Sequence, residues 1–170
     1  MNKLIDPRKF SPCVNRMRQF FLQRNYLEVH TQNRLSILAA CEDPKTISTY
    51  QYSGKVWPLP QTGQMHLEDV LLDNPEYEGA FTVSTSYRNE PNPVPGRHDL
   101  IFPMFEFESK GSVKDLQNMQ IDLLDHLGFE KTNGSYPEGN YVDICNRYDT
   151  DELDHADELC LEEDYGPVFF

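Results

Sequence analysis

Hydrophobic positions along the chain change their period several times, and each change marks an element. From Ser11-Pro12 onward, Cys13, Met17, Phe20 and Leu27, with Val14 and Phe21 alongside, recur at helical spacing, while Arg16, Arg18 and Arg24 fall elsewhere. Serine caps a helix, and proline fits its first turn because the missing N–H would be unpaired there. The spacing predicts a helix over about 12–25, then an extended stretch over 26–31 that carries Leu27. Residues 41–64 are broken by Pro44, Gly54, Pro58, Pro60 and Gly63 and read as loop and short strands. A short helix over 65–72 (MHLEDVLL) follows, and Asp73-Asn74-Pro75 stops it.

Two runs then alternate with period two, the mark of strands. In the run 79–88, Phe81, Val83, Thr85 and Tyr87 share a face. In the run 100–108, Ile101, Phe105 and Phe107 make an apolar face, and Phe102, Met104, Glu106 and Glu108 make the other. The link between them holds Pro91, Pro93, Pro95 and Gly96, a stiff loop joining two antiparallel strands. Ser112 caps the next helix, with Asp115 three residues on and Gly128 as its terminator. Val113, Leu116, Met119, Leu123, Leu124 and Leu127 line that helix's expected buried face. Residues 141–145 read as a short strand, and Thr150 as the cap of an acidic helix burying Leu153, Ala156 and Cys160. The final Pro167-Val168-Phe169-Phe170 reads as the opening of a buried strand, so the chain is expected to be the front part of a longer fold. The fold class this order predicts is α+β, an antiparallel β-sheet flanked by helices.

Charge narrows the function. The chain has 15 Lys plus Arg against 28 Asp plus Glu, a net charge of −13 and a pI near 4.7. That balance excludes a nonspecific nucleic-acid binder, whose affinity comes from clustered cations. The charge is uneven: residues 1–34 carry seven basic side chains against two acidic ones, and residues 141–170 carry ten acids against Arg147. No apolar run approaches the ~20 residues of a membrane span. Cys13, Cys41, Cys145 and Cys160 lie far apart without metal-ligand spacing, as expected of reduced thiols in a cytoplasmic protein.

The chemistry gathers around the proline loop. Arg88 and Arg97 flank it, and guanidinium groups grip phosphate or carboxylate with paired hydrogen bonds. His98 adds a donor, Phe102 a flat surface for a heteroaromatic ring, and Glu90 or Glu106 a carboxylate for an amino group. These groups suit a nucleotide bent across a sheet beside an amino-acid-like substrate. The glycine-rich GxxxxGK[ST] loop is missing, which excludes a P-loop site. His30, His66, His126 and His155 are scattered, and no Ser/His/Asp or Cys/His arrangement stands out.

At these residues the sequence resembles a known family. YRNE at 87–90, RHDLIF at 97–102 and MFEFE at 104–108 resemble motif 2 of class II aminoacyl-tRNA synthetases, in the aspartyl/asparaginyl/lysyl subgroup. QTGQMHLED (61–69) is similar to that subgroup's SGQL segment, and the stretch 16–31 to its motif 1. The likeness makes the chain the N-terminal part of such a catalytic domain, with motif 1 at about 12–31 and motif 2 at about 81–108. The resemblance implies that Arg88 is the catalytic residue, on the ATP α-phosphate. It implies that Glu90, Arg97, His98 and Phe102 complete the ATP site, and that Gln64 and Glu106 take the amino acid's ammonium. ATP is then a substrate with Mg2+ expected, although the family's usual metal ligands are not in this chain. A tRNA acceptor and a homodimer are further expectations.

The sequence departs from the family pattern in several places. Gln32 replaces the proline after motif 1, Ile101 replaces an acid before Phe102, and Leu67-Glu68 stands where aspartyl members have a lysine, an asparaginyl-like feature. Motif 3 and an N-terminal anticodon barrel are missing. The alternatives are therefore a non-catalytic synthetase-like binding or dimerisation module, an asparagine synthetase-type or lysyl-type paralogue, and an unrelated acidic domain.

Overall fold

Asp6 opens the first helix: its carboxylate accepts the Arg8 N–H at 2.9 Å, and Pro7 occupies the first turn of α1 (Pro7–Leu22). A computed structural model describes residues 5–31, 44–96 and 98–166. The helix starts before the predicted Ser11-Pro12 because Asp6-Pro7 supplies the same signal earlier. Pro12 is left inside α1 at the cost of one hydrogen bond. A turn with Asn25 at φ 61° leads into β1 (Tyr26–Glu28). Strands β2 (Thr49–Tyr52) and β3 (Lys55–Pro58) form a hairpin whose two-residue turn, Ser53-Gly54, has positive φ at both positions. Next come α2 (Gln64–Asp73), β4 (Gly79–Tyr87), β5 (Ile101–Ser109) and α3 (Val113–Leu127).

The strand order is β1-β4-β5. The predicted antiparallel pair is present, with Phe81 opposite Phe107, Val83 opposite Phe105 and Tyr87 opposite Ile101. To this pair β1 adds a parallel edge, Tyr26 opposite Gly79. Tyr26 lies against Gly79 so closely that a Cβ there would fall 2.1 Å from its ring. Helices α1 and α3 cover the aromatic face of the sheet, and α2 packs on the other.

Phe21 of α1 is wholly buried, its ring centroid 4.8–5.6 Å from those of Phe20, Tyr26, Phe81, Phe105 and Phe107. Such offset and edge-on contacts add to the hydrophobic gain of burying the ring. Met119 and Leu123 of α3 close the cluster from outside, and the Tyr26 hydroxyl donates to Met119 Sδ at 3.4 Å. The helices are also pinned by polar contacts. Arg16 donates to the Leu127 carbonyl at 3.0 Å, and the Arg24 guanidinium lies 3.6 Å above the Phe20 ring while reaching Asp122 at 3.3 Å.

In α3, Ser112 and Asp115 form the predicted capping box, and Gly128 ends the helix at φ 88°. Ser112's hydroxyl and backbone N–H hold the Asp115 pKa below its ordinary value. The inner face is narrower and less buried than predicted: Met119, Leu123, Leu124 and Leu127 are only half-buried, while Val113, 84% exposed, and Leu116, exposed as well, precede the part of α3 that reaches the sheet. Ile101, assigned to the apolar face, is exposed at the far end of β5.

Residues 129–166 belong to a second compact unit. The strand predicted at 141–145 is instead helix α4 (Tyr141–Arg147). Asn140 caps it, Asp143 sits in its first turn and Arg147 in its last, which favours a helix over the strand preference of Val142 and Ile144. Helix α5 (His155–Tyr165) is capped by Asp154 rather than Thr150, so Leu153 precedes it. Leu161 is buried, whereas Ala156 and Cys160 are exposed. Arg147 ties α4 to α5 through Asp164 at 3.1 Å and the Tyr165 hydroxyl. Gln32, Cys41 and the terminal 167–170 run lie outside the described residues. No helix among the described residues is long and apolar enough to cross a membrane.

Replacing Phe21 by alanine removes the ring all three strands share. The expected loss is about 3–5 kcal/mol of unfolding free energy in urea denaturation. Val113→Ala, at an exposed site, should stay within about 0.5 kcal/mol. Equal losses in the two variants would show that the cluster is not the core.

Candidate functional site

The face of β4 and β5 turned from the aromatic core is polar, because alternation places Thr82, Ser84 and Ser86 beside Glu106, Met104 and Phe102. Ser86 and Thr82 are almost wholly buried there. The segment before α2 is stitched along the end of β4. The Tyr87 N–H donates to the Pro60 carbonyl at 2.9 Å, and the Ser86 hydroxyl to the Gln61 carbonyl at 2.8 Å. Gln61 in turn donates to the Thr46 hydroxyl at 2.8 Å, so the buried Ser86, Gln61 and Thr46 are paired. This stitching brings the start of α2 over the polar face.

Glu106 is the centre of that arrangement. It accepts hydrogen bonds from the Thr62 hydroxyl, from the Gly63 N–H at 2.8 Å and from the Ser84 hydroxyl at 3.2 Å. The Thr62 hydroxyl also accepts the Gln64 N–H at 3.1 Å. Helix α2 has no side-chain cap of its own, so the Glu106 carboxylate serves its positive end. Gly63 is required for this approach. A Cβ there would lie 2.7 Å from Thr31 Cγ2, 3.2 Å from Thr82 Cγ2 and 3.4 Å from a Glu106 oxygen.

Glu108, two residues on, is half-buried. Burial, and then the carboxylates of Glu68 and Glu106, push its pKa above the ordinary glutamate value, and the nearby Gln64 amide partly offsets them.

At the other end of the face stands Phe102, with the Arg88 guanidinium 5.6 Å from its ring centroid, inside cation–π range. The Arg88 N–H continues the ladder to the Leu100 carbonyl at 2.8 Å, and the Asn89 N–H bonds to the Thr46 carbonyl at 2.9 Å. Arg88 itself is exposed. His98 closes the proline loop: its Nδ1 accepts the Val94 N–H at 3.1 Å, and its N–H donates to the Val94 carbonyl at 3.0 Å. A neutral His98 that accepts at Nδ1 carries its proton at Nε2, available to an anion. Glu90 is half-buried at the start of the loop, and Arg97 lies outside the described residues. The structure therefore unites Gln64, Arg88, Phe102 and Glu106 on one face, with His98 ordering the loop above it.

No protein-family profile matches this chain. The cytoplasmic asparagine–tRNA ligase of Dictyostelium discoideum is 34% identical over 80 residues, which is 47% of this chain and 12% of that relative. An asparaginyl-tRNA synthetase from Pyrococcus horikoshii, solved with asparaginyl-adenylate, superposes with a TM-score of 0.73 and 19% identity. The match takes in 92% of this chain and 41% of that one.

The chain has the fold of part of that synthetase.

The asparaginyl-tRNA synthetase of Entamoeba histolytica, also solved with asparaginyl-adenylate, gives the same answer, with a TM-score of 0.70 and 17% identity over 92% of this chain and 40% of that one. The resemblance drawn from residues 61–69 and 87–108 therefore holds at the level of the synthetase fold. The α+β class holds with it. The chain spans about two fifths of these solved synthetases.

Three residues of the synthetase-like face were not singled out by sequence reasoning: Thr62, Gly63 and Ser84, the groups that hold Glu106. A signal for Ser84 was present, since Thr82, Ser84 and Ser86 form a row of hydroxyls at the period of a strand.

Gly63→Ala is expected to push the segment before α2 off the sheet. Overpacking of this kind costs about 1–3 kcal/mol, readable as a lowered urea midpoint. Unchanged stability would mean that the space around Gly63 is looser than its neighbours indicate.

Proposed function

We propose that the chain binds ATP and an amino acid, asparagine or aspartate before lysine, and joins them as an aminoacyl adenylate for transfer to tRNA. The observation that carries this reading is the polarity along β5. Phe102, with Arg88 over it, and Glu106, with its donors, are separated by four residues, about 13 Å at strand rise. One end offers a ring surface and a cation, the other a carboxylate. An aminoacyl adenylate has the complementary order: adenine and phosphate at one end, ammonium at the other. The two solved synthetases named above were captured with asparaginyl-adenylate, which supports the same reading.

In the proposed reaction, an oxygen of the substrate carboxylate attacks the ATP α-phosphorus in line. A new P–O bond forms as the bond to the bridging oxygen breaks, and its electron pair leaves on pyrophosphate. Arg88 faces the charge that develops on the α-phosphate, Phe102 stacks on adenine, and Glu90 contacts its amino group. His98 and Arg97 donate towards the γ-phosphate, while Gln64 and Glu106 fix the ammonium. No side chain becomes a nucleophile; the work is positioning and electrostatic stabilisation. Mg2+ would accompany ATP. Among the described residues no group of three His, Cys, Asp or Glu side chains is placed to hold a metal ion, so no step is assigned to it.

ATP–pyrophosphate exchange with asparagine, aspartate and lysine tests this reading, together with calorimetric binding of a non-hydrolysable asparaginyl-sulfamoyl adenosine. Exchange greatest with asparagine is expected. Arg88→Ala, at an exposed position, should fold normally and lower exchange by about 100-fold or more, the scale of a lost transition-state donor. Binding of the analogue without exchange would favour a non-catalytic module. A folded chain that neither exchanges nor binds would overturn the reading.

A further inference from the structure

We propose that the β2–β3 hairpin is a stacking surface for the single-stranded end of an RNA acceptor, with Tyr52 and Trp57 supplying the rings and Lys55 a phosphate contact. The proposal rests on the tRNA transfer in the reading above and names the surface on which that partner is met.

The sequence sets the chemistry of this hairpin apart. In a chain of net charge −13, residues 44–67 hold Lys45 and Lys55 and no Asp or Glu. Period two and the antiparallel register then sort the side chains. Tyr50 pairs with Trp57 and Tyr52 with Lys55, so these four share one face, and Thr49, Gln51, Val56 and Pro58 share the other. Tyr52 and Trp57 are diagonal neighbours across the ladder, about 7–8 Å apart and within reach of each other's rings. The Lys55 ammonium lies 6.0 Å from the Trp57 ring centroid, at the edge of cation–π range.

Neither face is packed away. Tyr52 is 69% and Val56 62% exposed, and Trp57 is half-buried. The hairpin is a two-stranded sheet of its own, and such a pair gains little stability alone. A contribution to the core therefore does not account for its aromatic residues. Its place in the fold does. The Thr46 carbonyl accepts the Asn89 N–H at 2.9 Å, and the Pro60 carbonyl accepts the Tyr87 N–H at 2.9 Å. Both ends of the hairpin segment are thus bonded to the residues on either side of Arg88, and the Leu59 N–H to the Ser48 carbonyl at 2.8 Å closes its base. The hairpin is rooted beside the position proposed for the α-phosphate, where an acceptor strand must arrive.

Flat rings beside a lysine, in a segment without a carboxylate, complement bases and phosphates. A duplex keeps its bases stacked on one another, whereas a single strand can lay them on protein rings. Binding of this kind draws on stacking more than on clustered cations, so it is compatible with the acidic charge of the whole chain.

Trp57 is the chain's one tryptophan, so its emission reports on this face directly. The full chain is titrated with an unstructured single-stranded RNA of about eight nucleotides, within the site size of such surfaces, and with a duplex of the same length. The single strand should quench Trp57 and the duplex should not. Tyr52→Ala should weaken single-strand affinity about tenfold, the scale of one lost stacking contact, whereas Tyr52→Phe keeps the ring and should bind as the wild type does. Lys55→Ala should lower the slope of log affinity against log salt by about 0.7, one phosphate contact on a single strand. Tyr52 and Lys55 are exposed, so the variants should melt with the wild type. Pyrophosphate exchange and binding of the asparaginyl-sulfamoyl analogue use neither side chain and should be unchanged in Tyr52→Ala. A chain quenched by RNA that neither exchanges nor binds the analogue would fail the activation reading and leave the hairpin's role standing. Absence of quenching, equal binding of duplex and single strand, or full affinity in Tyr52→Ala would overturn the proposal. So would a Trp57 emission that shifts with protein concentration alone, since a second copy of the chain would then cover the face.

Discussion

The Phe21 ring, held among Phe20, Tyr26, Phe81, Phe105 and Phe107, decides which side of the sheet faces α1 and α3. Once Phe105 and Phe107 are committed to that cluster, the period of two leaves Phe102, Glu106 and Glu108 no choice but the opposite face. A slip of one residue in β5 would bury two carboxylates among aromatic rings and expose two phenylalanines, a loss far larger than any local preference. Packing on one side therefore specifies chemistry on the other. Gly79 helps to fix the register, since Tyr26 occupies the space that any other side chain there would need.

The polar face is built on a different principle. Ser86, Thr46 and Gln61 are buried yet paired, so hydrogen bonds help to set the first turn of α2. Glu106 is stable there because the helix end and three donors compensate its charge. Glu108 is not compensated to the same degree, and its raised pKa records that imbalance. Unrelieved charge of this kind is commonly found where a protein must meet a ligand.

Sequence and structure agree best where a single residue type dictates the outcome. The β4–β5 pair with its two faces, the Ser112–Asp115 box and the Gly128 terminator were legible because period two, a short polar side chain and a left-handed backbone each leave few alternatives. The start of α1 was displaced because two Asx/Ser-Pro signals compete within six residues and only packing chooses between them. At 141–145, β-branched Val142 and Ile144 suggested a strand, but a strand requires a ladder partner, whereas Asn140 can start a helix alone. On the candidate face, Arg88, Phe102 and Glu106 were picked out by residue chemistry and Gln64 by the family resemblance, and the structure brings the four together. The cradle of Thr62, Gly63 and Ser84 was not, because it depends on how a distant loop crosses the sheet, which no spacing encodes.

That distinction also bears on the net charge of −13. At physiological ionic strength an exposed charge is screened within about 8 Å. An anion approaching Phe102 therefore senses Arg88 and the ordered His98 far more than the acids spread over the rest of the chain. Net charge governs long-range encounter and indiscriminate attraction to polyanions. The affinity of a nucleotide is set by the few groups it touches; on the proposed reading these include the Arg88 guanidinium at the aromatic end of β5, with the Glu106 carboxylate at the other. An acidic protein with a locally reversed patch can hold a nucleotide while repelling nucleic acid in general, so a tRNA partner would have to be recognised by shape and specific contacts rather than by a basic surface.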